Sequence, residues 1–578
     1  MTYKAPLPAI NFLLNHVVPL NRLPAHETLG TIDGDMAMSI LEPAAKLAED
    51  VLAPLNPVGD QKGAVLKEGD VIMPDGFQKA YQTYCEGGWN AVPFEEEHGG
   101  QALPWLLAFP VQEFWQGANM AFGLCPLLNQ GAVEAIAAHG SDEQKAFYLP
   151  KLVSGEWTGT MNLTEPQAGS DLSQIRTRAQ KQADGTYKIS GQKIYITYGE
   201  HNLAENIIHL VLARLPDAPE GVKGISLFIV PKFLEDGSRN DVKCTGLEHK
   251  IGIHASPTCT MQFGDKGGAI GYLIGAENEG LKYMFTMMNN ARLSVGLQGV
   301  AVAEHAYQKA LDYARERDQG ASLTDKALRV KIAAHGDVKR MLLSMRSSIF
   351  ALRALTYEAA LHLDLAANGD DKAQGVVEFL TPIVKAYATD QAVEIANTGI
   401  QIHGGMGYVE ETGAAQFLRD ARILPIYEGT NGIQALDLVF RKIAKGHLDH
   451  VLHHYKKEAD NLAAALQNAY PEFSTSLINA ADIATLIYEH IQNEGRKYPD
   501  KIAAVAVPAL QALGIFLCGV MQARSLKAIS DQKDDIALKK HIEENAAYYA
   551  AFDMAKLSAL LHTVQQGGNI ITNADFLE

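Results

Sequence analysis

The chain has 578 residues, 47% of them hydrophobic and 20% charged, with 50 basic against 67 acidic side chains and a net charge of −17. At roughly 100–200 residues per domain this makes three to five units, and the composition excludes a disordered or low-complexity chain. The acidic excess argues against a generic nucleic-acid binder. Five scattered cysteines without a C-x-x-C argue against a disulfide scaffold or structural zinc and fit a reducing compartment.

In chain order, residues 1–36 read as a proline-spotted, irregular N-terminal arm. Their opening, MTYKAPLPAINFLLNHVVPL, holds one lysine and a broken apolar stretch, so it does not read as a signal peptide. Residues 37–157 form a helical unit: MAMSILEPAAKLAEDVLAPL spaces its apolar residues by three and four, residues 75–90 and 106–155 continue in that style, and Asp142 opens a helix with an acidic first turn. Residues 158–280 change texture. YKISGQKIYIT, NIIHLVLARL, GISLFIVPKF and CTMQFGD are short, β-branched and separated by turns, which predicts an antiparallel β unit. Residues 281–449 return to helices over 281–318, 325–367, 373–400 and 431–446, and an alanine-rich helical block occupies 450–578. The most apolar late run, Gly514 to Met521, is too short to cross a bilayer, so no transmembrane segment and a cytoplasmic location are expected. Helices, strands, then helices again make the fold class α+β.

Four motifs carry chemistry. LTEPQAGSDL, Leu163 to Leu172, is a turn in which Gly169 allows close backbone approach and Thr164 and Ser170 offer hydroxyls. GQKIYITYGEH sets Tyr195, a flat aromatic, two residues before the Thr197 hydroxyl. QIHGGMGY, Gln401 to Tyr408, is a glycine-rich turn after a helix, not after a strand, so a dinucleotide-fold fingerprint does not apply. In LRDARILPIYEGTNGIQ, Glu428 stands just before a helix, with Asn431 as the expected cap and Gln434 at the capping-box position. Taken singly, each motif is equally a turn, a core strand, a helix end or a compensated helix dipole.

Taken together and in this order, with ARLSVGLQGVA between the second and third, they resemble the acyl-CoA dehydrogenase family over residues 37–448. The tail and the segment GLEHKIGIHASPTC look most like its 3-methylmercaptopropionyl-CoA dehydrogenase-like branch. The resemblance implies an N-terminal helical domain, a middle β domain, a helical bundle with an additional C-terminal helical domain, and FAD as cofactor. It implies α,β-dehydrogenation of an acyl-CoA, with Glu428 taking the α-proton and flavin N5 the β-hydride. It assigns Leu163, Thr164, Ser170, Tyr195, Thr197, Arg317, Gln401, Gly404, Gly405 and Thr430 to FAD, those from Arg317 and Gln401–Gly405 reaching across a subunit interface. It assigns Ser170, Arg292 and Gly429 to the acyl-CoA, with no metal. A homodimer and an electron-transfer flavoprotein as acceptor are the implied partners. Three departures stand out. Tyr195 replaces a tryptophan, Gln167 replaces a glycine, and the stretch after Arg317 lacks the usual phenylalanine-glycine pattern, which leaves His335 without a clear flavin role. Two other readings share the fold: an acyl-CoA oxidase, and a DNA-binding relative, against which the mixed-sign tail and intact Glu428 speak.

Overall fold

The structure is a computed structural model that describes residues 3–26, 28, 30–531 and 536–576. The N-terminal segment is helical where irregular chain is expected. Helix α1 (Leu7–Phe12) continues into a π-turn over Leu13–Val17, and Ile10, Phe12, Leu13 and Leu14 are buried in the main core. Ile10, Leu13, Leu14 and Val17 follow the i, i+3, i+4, i+7 spacing, and this apolar stripe docks the segment into the core.

Helices α2 (Gly34–Leu47) and α3 (Leu55–Lys62) follow, then a hairpin of β1 (Val65–Lys67) and β2 (Asp70–Ile72). Helices α4 (Phe77–Glu86), α5 (Trp105–Ala118), α6 (Met120–His139) and α7 (Asp142–Ser154) complete the first helical layer. The start of α7 is a full capping box between Ser141 and Gln144.

An eight-stranded sheet comes next: β3 (Trp157–Asn162), β4 (Arg178–Lys181), β5 (Tyr187–Thr197), β6 (Asn206–Arg214), β7 (Ile225–Pro231), β8 (Val242–Leu247), β9 (Thr258–Phe263) and β10 (Ala269–Leu273). It is not wholly antiparallel as expected. Strand β3 runs parallel to β6 over six residue pairs, Trp157↔Asn206 through Asn162↔Val211. Parallel neighbours need a crossover, and the long turn carrying LTEPQAGSD, followed by β4 and β5, supplies it.

The bundle is built on three long helices, α8 (Gly280–Glu316), α9 (Gly336–Ala367) and α10 (Asp371–His403). The expected helix from 325 begins only at 336. Residues before it form a hairpin of β11 (Asp318–Ala321) and β12 (Arg329–Lys331). Short helices α11 (Ala414–Ala421) and α12 (Asn431–Leu436) flank the turn that holds Glu428.

The tail comprises α13 (Asp449–Leu466), α14 (Pro471–Glu494), α15 (Pro499–Ala504), α16 (Ala506–Asp531), α17 (Ile536–Tyr548) and α18 (Leu557–Thr572). Helix α16 packs on α9, α10 and α12, and α17 on α9. Arg524 of α16 ties the units together, 2.8 Å from Glu358 on α9 and 2.7 Å from Glu458 on α13, while Arg22 of the N-terminal segment reaches the same Glu358 at 3.4 Å. The apolar run Gly514–Met521 is thus part of a 26-residue helix. Helices α6 and α16 both have the length and hydropathy of a membrane span, and in each 83% of the most apolar 18-residue stretch is buried inside the fold.

Candidate active site

The turn after α11 carries the sharpest local strain in the region. Glu428 has φ 54° and Gly429 φ 87°, two successive left-handed residues. For a glutamate this conformation costs on the order of 1–3 kcal/mol and persists only where the surroundings enforce it. Gly429 is required for space as well: a Cβ there would stand 2.7 Å from Gln434 Nε2 and 3.7 Å from Arg292 Nη2.

What enforces the turn is visible on both sides. The Asn431 amide donates to the Pro425 carbonyl at 2.9 Å, and the Tyr427 amide to that of Ile423 at 3.1 Å. The Tyr427 hydroxyl donates to Gln298 of α8, whose own amide donates to Gln116 of α5 at 3.0 Å. The expected cap is displaced by one residue. Thr430, not Asn431, caps α12, its hydroxyl accepting from the Ile433 amide at 3.3 Å. Asn431 instead turns into the bundle toward α10.

Glu428 is half-buried, and burial pushes its carboxyl above the ordinary range; Arg292 and Lys385 oppose that rise. Arg292 is buried at 8% exposure, and among the described residues its Nε has no hydrogen-bond partner. Among the described residues the Glu428 backbone amide donates no hydrogen bond. A carboxylate of raised basicity, an uncommitted buried guanidinium and a free amide therefore meet at one turn. That set is suited to removing a weakly acidic C–H proton beside a polarised carbonyl.

The second part of the site lies at the β unit. The turn Leu163–Ser170 is fastened to β5 by the Ile194 amide to the Thr164 carbonyl at 3.0 Å and by Lys193 Nζ to the Leu163 carbonyl at 2.9 Å. Glu165, unmarked in the sequence reading, organises the turn. Its carboxylate accepts from Lys193 Nζ at 2.9 Å, from the Arg176 and Thr177 amides at 2.6 and 3.0 Å, and from Gln167 Nε2 at 2.7 Å. Burial alone would raise this carboxyl, but Lys193 and these donors bring it down to about 2. Gln167, a departure from the family pattern, thus braces the turn, also donating to the Gln174 carbonyl at 3.0 Å.

A bulge in β5 between Lys193 and Ile196 breaks the strand's alternation. Lys193 is buried, while Tyr195, at φ 60°, is 58% exposed beside the Leu163–Thr164 turn. Leu163, Thr164 and Thr197 are half-buried, and Ser170 is exposed. Gly169, Gly404 and Gly405 have no atom within 4 Å of where a Cβ would stand. At the β unit the exposed Tyr195 and Ser170 and the open space at Gly169 are groups that would fit a flat, hydrogen-bonding ligand such as a flavin.

Arg317, Gln401, Gly404 and Gly405 gather elsewhere. Tyr313 of α8 stacks on the buried His403 of α10 with ring centroids 4.5 Å apart, and this contact joins the exposed Arg317 to the turn where Gln401, Gly404 and Gly405 are exposed. Roughly 36 Å of α8 separates this group from Arg292. Within one chain this group and the turn of Glu428, which faces Arg292, therefore lie far apart along α8. His335 Nε2 lies 2.7 Å from the Gln319 carbonyl and pins the β11–β12 hairpin.

Sequence models of the acyl-CoA dehydrogenase N-terminal, middle and C-terminal domains match residues 38–156, 160–266 and 278–443. The chain belongs to the acyl-CoA dehydrogenase family. It is 52% identical over 455 residues to 3-methylmercaptopropionyl-CoA dehydrogenase of Ruegeria pomeroyi, covering 77% of each chain. It shares its fold with ACDH-11 of Caenorhabditis elegans in complex with C11-CoA, at TM-score 0.81 and 20% identity over 100% of this chain and 96% of the other. It also shares it with an acyl-CoA dehydrogenase of Bacillus anthracis complexed with FAD, at TM-score 0.75 and 21% identity over 98% and 93%. The chain is an oxidoreductase of this FAD-dependent family, and the α+β architecture expected from sequence is the one observed.

Proposed function

We propose that this chain dehydrogenates a short acyl-CoA, with 3-methylmercaptopropionyl-CoA as first candidate, at Cα and Cβ, with Glu428 as the base. The observation that carries the reading is the strained turn that presents Glu428 toward Arg292 with a free backbone amide beside it. Glu428 takes the α-proton on its carboxylate. The Glu428 amide binds the thioester carbonyl, and Arg292 holds the turn's field positive as charge develops there. FAD, when bound, supplies the hydride acceptor. Leu163, Thr164, Tyr195, Thr197 and Thr430 would hold its ring end, Ser170 would border both cofactor and substrate, and Gly429 leaves room for the thioester. The substrate candidate rests on the 52% identical relative.

Arg317, Gln401, Gly404 and Gly405 would complete the flavin site of a second subunit, so the working form is a homodimer. The tail covers the outer faces of α9 and α10, leaving less bundle surface for further assembly. A cleft of about 1110 Å³ beside the Leu163–Ser170 turn is lined by Arg176, Arg178, Lys188 and Arg214 and would take the phosphates of CoA. Electron-transfer flavoprotein is the proposed acceptor. The test is a panel of short to long acyl-CoAs, plus 3-methylmercaptopropionyl-CoA, assayed with an artificial electron acceptor while peroxide is measured. Enoyl product without peroxide supports the dehydrogenase; stoichiometric peroxide makes the chain an oxidase; no turnover with any thioester refutes both.

A further inference from the structure

Lys385 stands in the middle of α10 and is completely buried. An ammonium removed from water needs close compensation. Its Nζ donates to Asn431 Oδ1 at 2.8 Å, and it makes no direct ion pair among the described residues. Asn431 spreads over the same helix: its Nδ2 lies 2.7 Å from Asp390 Oδ1, 2.9 Å from Thr389 Oγ1 and 3.0 Å from the Ala386 carbonyl. Its backbone amide closes the turn at Pro425. Between these anchors stand the two left-handed residues, Glu428 and Gly429.

We propose that Lys385 is a positioning residue for the base: through Asn431 it fastens the turn, and its ammonium faces Glu428. The inference rests on the reading of Glu428 as base. The charged groups facing Lys385 are Glu428 from the turn, Asp390 from its own helix and Arg292 from α8. Asp390 is faced in turn by Arg422 and by Gln511 of the tail, and Arg292 by Asp437 and Arg441. Burial pulls the Lys385 ammonium down to about 7, while Glu428 and Asp390 work to hold its proton and Arg292 works against it. The two titrations are therefore linked. When Glu428 takes up the α-proton it loses its charge, and Lys385 loses one of the two anions that keep it protonated.

Arginine could replace the charge but not the compact contact with Asn431, so the informative variants remove charge. Lys385→Met removes both charge and tether; Lys385→Gln keeps a polar group near Asn431. Flavin reduction by an acyl-CoA, without acceptor, is followed from about pH 5.5 to about pH 9 for parent and both variants, with FAD content and melting temperature measured for each. Both variants are expected to move the acid limb of the reduction rate upward by about one unit, a roughly tenfold loss on that limb. An unmoved limb, with rate lost only in proportion to FAD, would make Lys385 a structural lysine and overturn the proposal. If Lys385→Met does not fold, Lys385→Gln carries the comparison.

A second readout needs no turnover. Melting temperatures of the charge-removing Lys385 variant, Glu428→Gln and the double variant form a cycle. Non-additive shifts are expected; additive shifts would show that the two side chains are not coupled. A parent flavin that no acyl-CoA reduces would refute the dehydrogenase reading alone, and the melting cycle would still decide the role of Lys385.

Discussion

Lys193 and Glu165 form an ion pair of 2.9 Å with 0% and 3% side-chain exposure, and it fixes the turn that carries Leu163, Thr164 and Ser170. Removing either partner leaves an uncompensated charge in the core, a loss of about 3–5 kcal/mol. Lys193→Met is therefore expected to lower the melting temperature and to release FAD on gel filtration. A variant that keeps both would show that the pair does not hold the turn.

The same pair sets an acid limit. The Glu165 carboxyl is at about 2 in the fold, below its ordinary 4.5. A depressed carboxyl stabilises the fold above its unfolded value and loses that contribution as pH falls from about 4.5 through about 2. FAD release with falling pH should track this window in the parent, and Glu165→Gln should remove that part of the dependence.

Gly429→Ala tests the strained turn. The new methyl meets Gln434 Nε2, and the backbone must hold φ 87° with a Cβ. A stability loss on the order of 1–2 kcal/mol is expected. The flavin reduction rate should fall with it, because the displaced turn misplaces Glu428. Unchanged reduction would mean that the turn tolerates a shift without moving its carboxylate.

Charge reversal in the cleft separates binding from chemistry. Arg176 and Arg178 are exposed and outside the turn that holds Glu428. The double variant Arg176→Glu, Arg178→Glu should raise KM for acyl-CoA while leaving the limiting flavin reduction rate near the parent value. An unchanged KM would place the CoA phosphates elsewhere.

Sedimentation of the holoenzyme checks the shared site. A mass of two chains is expected, and Arg317→Ala should lower FAD content without unfolding the chain, since Arg317 is exposed. A monomer that retains FAD would contradict the argument from the length of α8.

The order of layers was legible in the sequence because periodicity survives burial, and α7 and α10 start where caps and acidic first turns are written. Less legible was whatever depends on distant partners. The parallel pairing of β3 with β6 is set by the crossover between them, not by either strand. The N-terminal helix forms because the bundle buries Ile10 and Leu13. Asn431 reads as a cap by position, yet Lys385, 46 residues away in sequence, draws its side chain inward. Nothing in their motifs singles out Glu165 and Lys193; only the fold shows that they meet. Glu428 was found through its motif, and its strain and buried cations became visible only in three dimensions.

The most direct measurement is stopped-flow bleaching of the flavin by acyl-CoA, without electron acceptor, in Glu428→Gln against the parent. Gln has nearly the same volume and keeps a polar side chain, but it cannot accept the α-proton. The variant is expected to retain FAD and to bind acyl-CoA, with reduction slowed by about 10²–10⁴ or more. A Glu428 that only compensates the dipole of α12 would cost roughly 0.3–1 kcal/mol of stability and leave turnover intact. Bleaching at the parent rate would show that Glu428 is not the base.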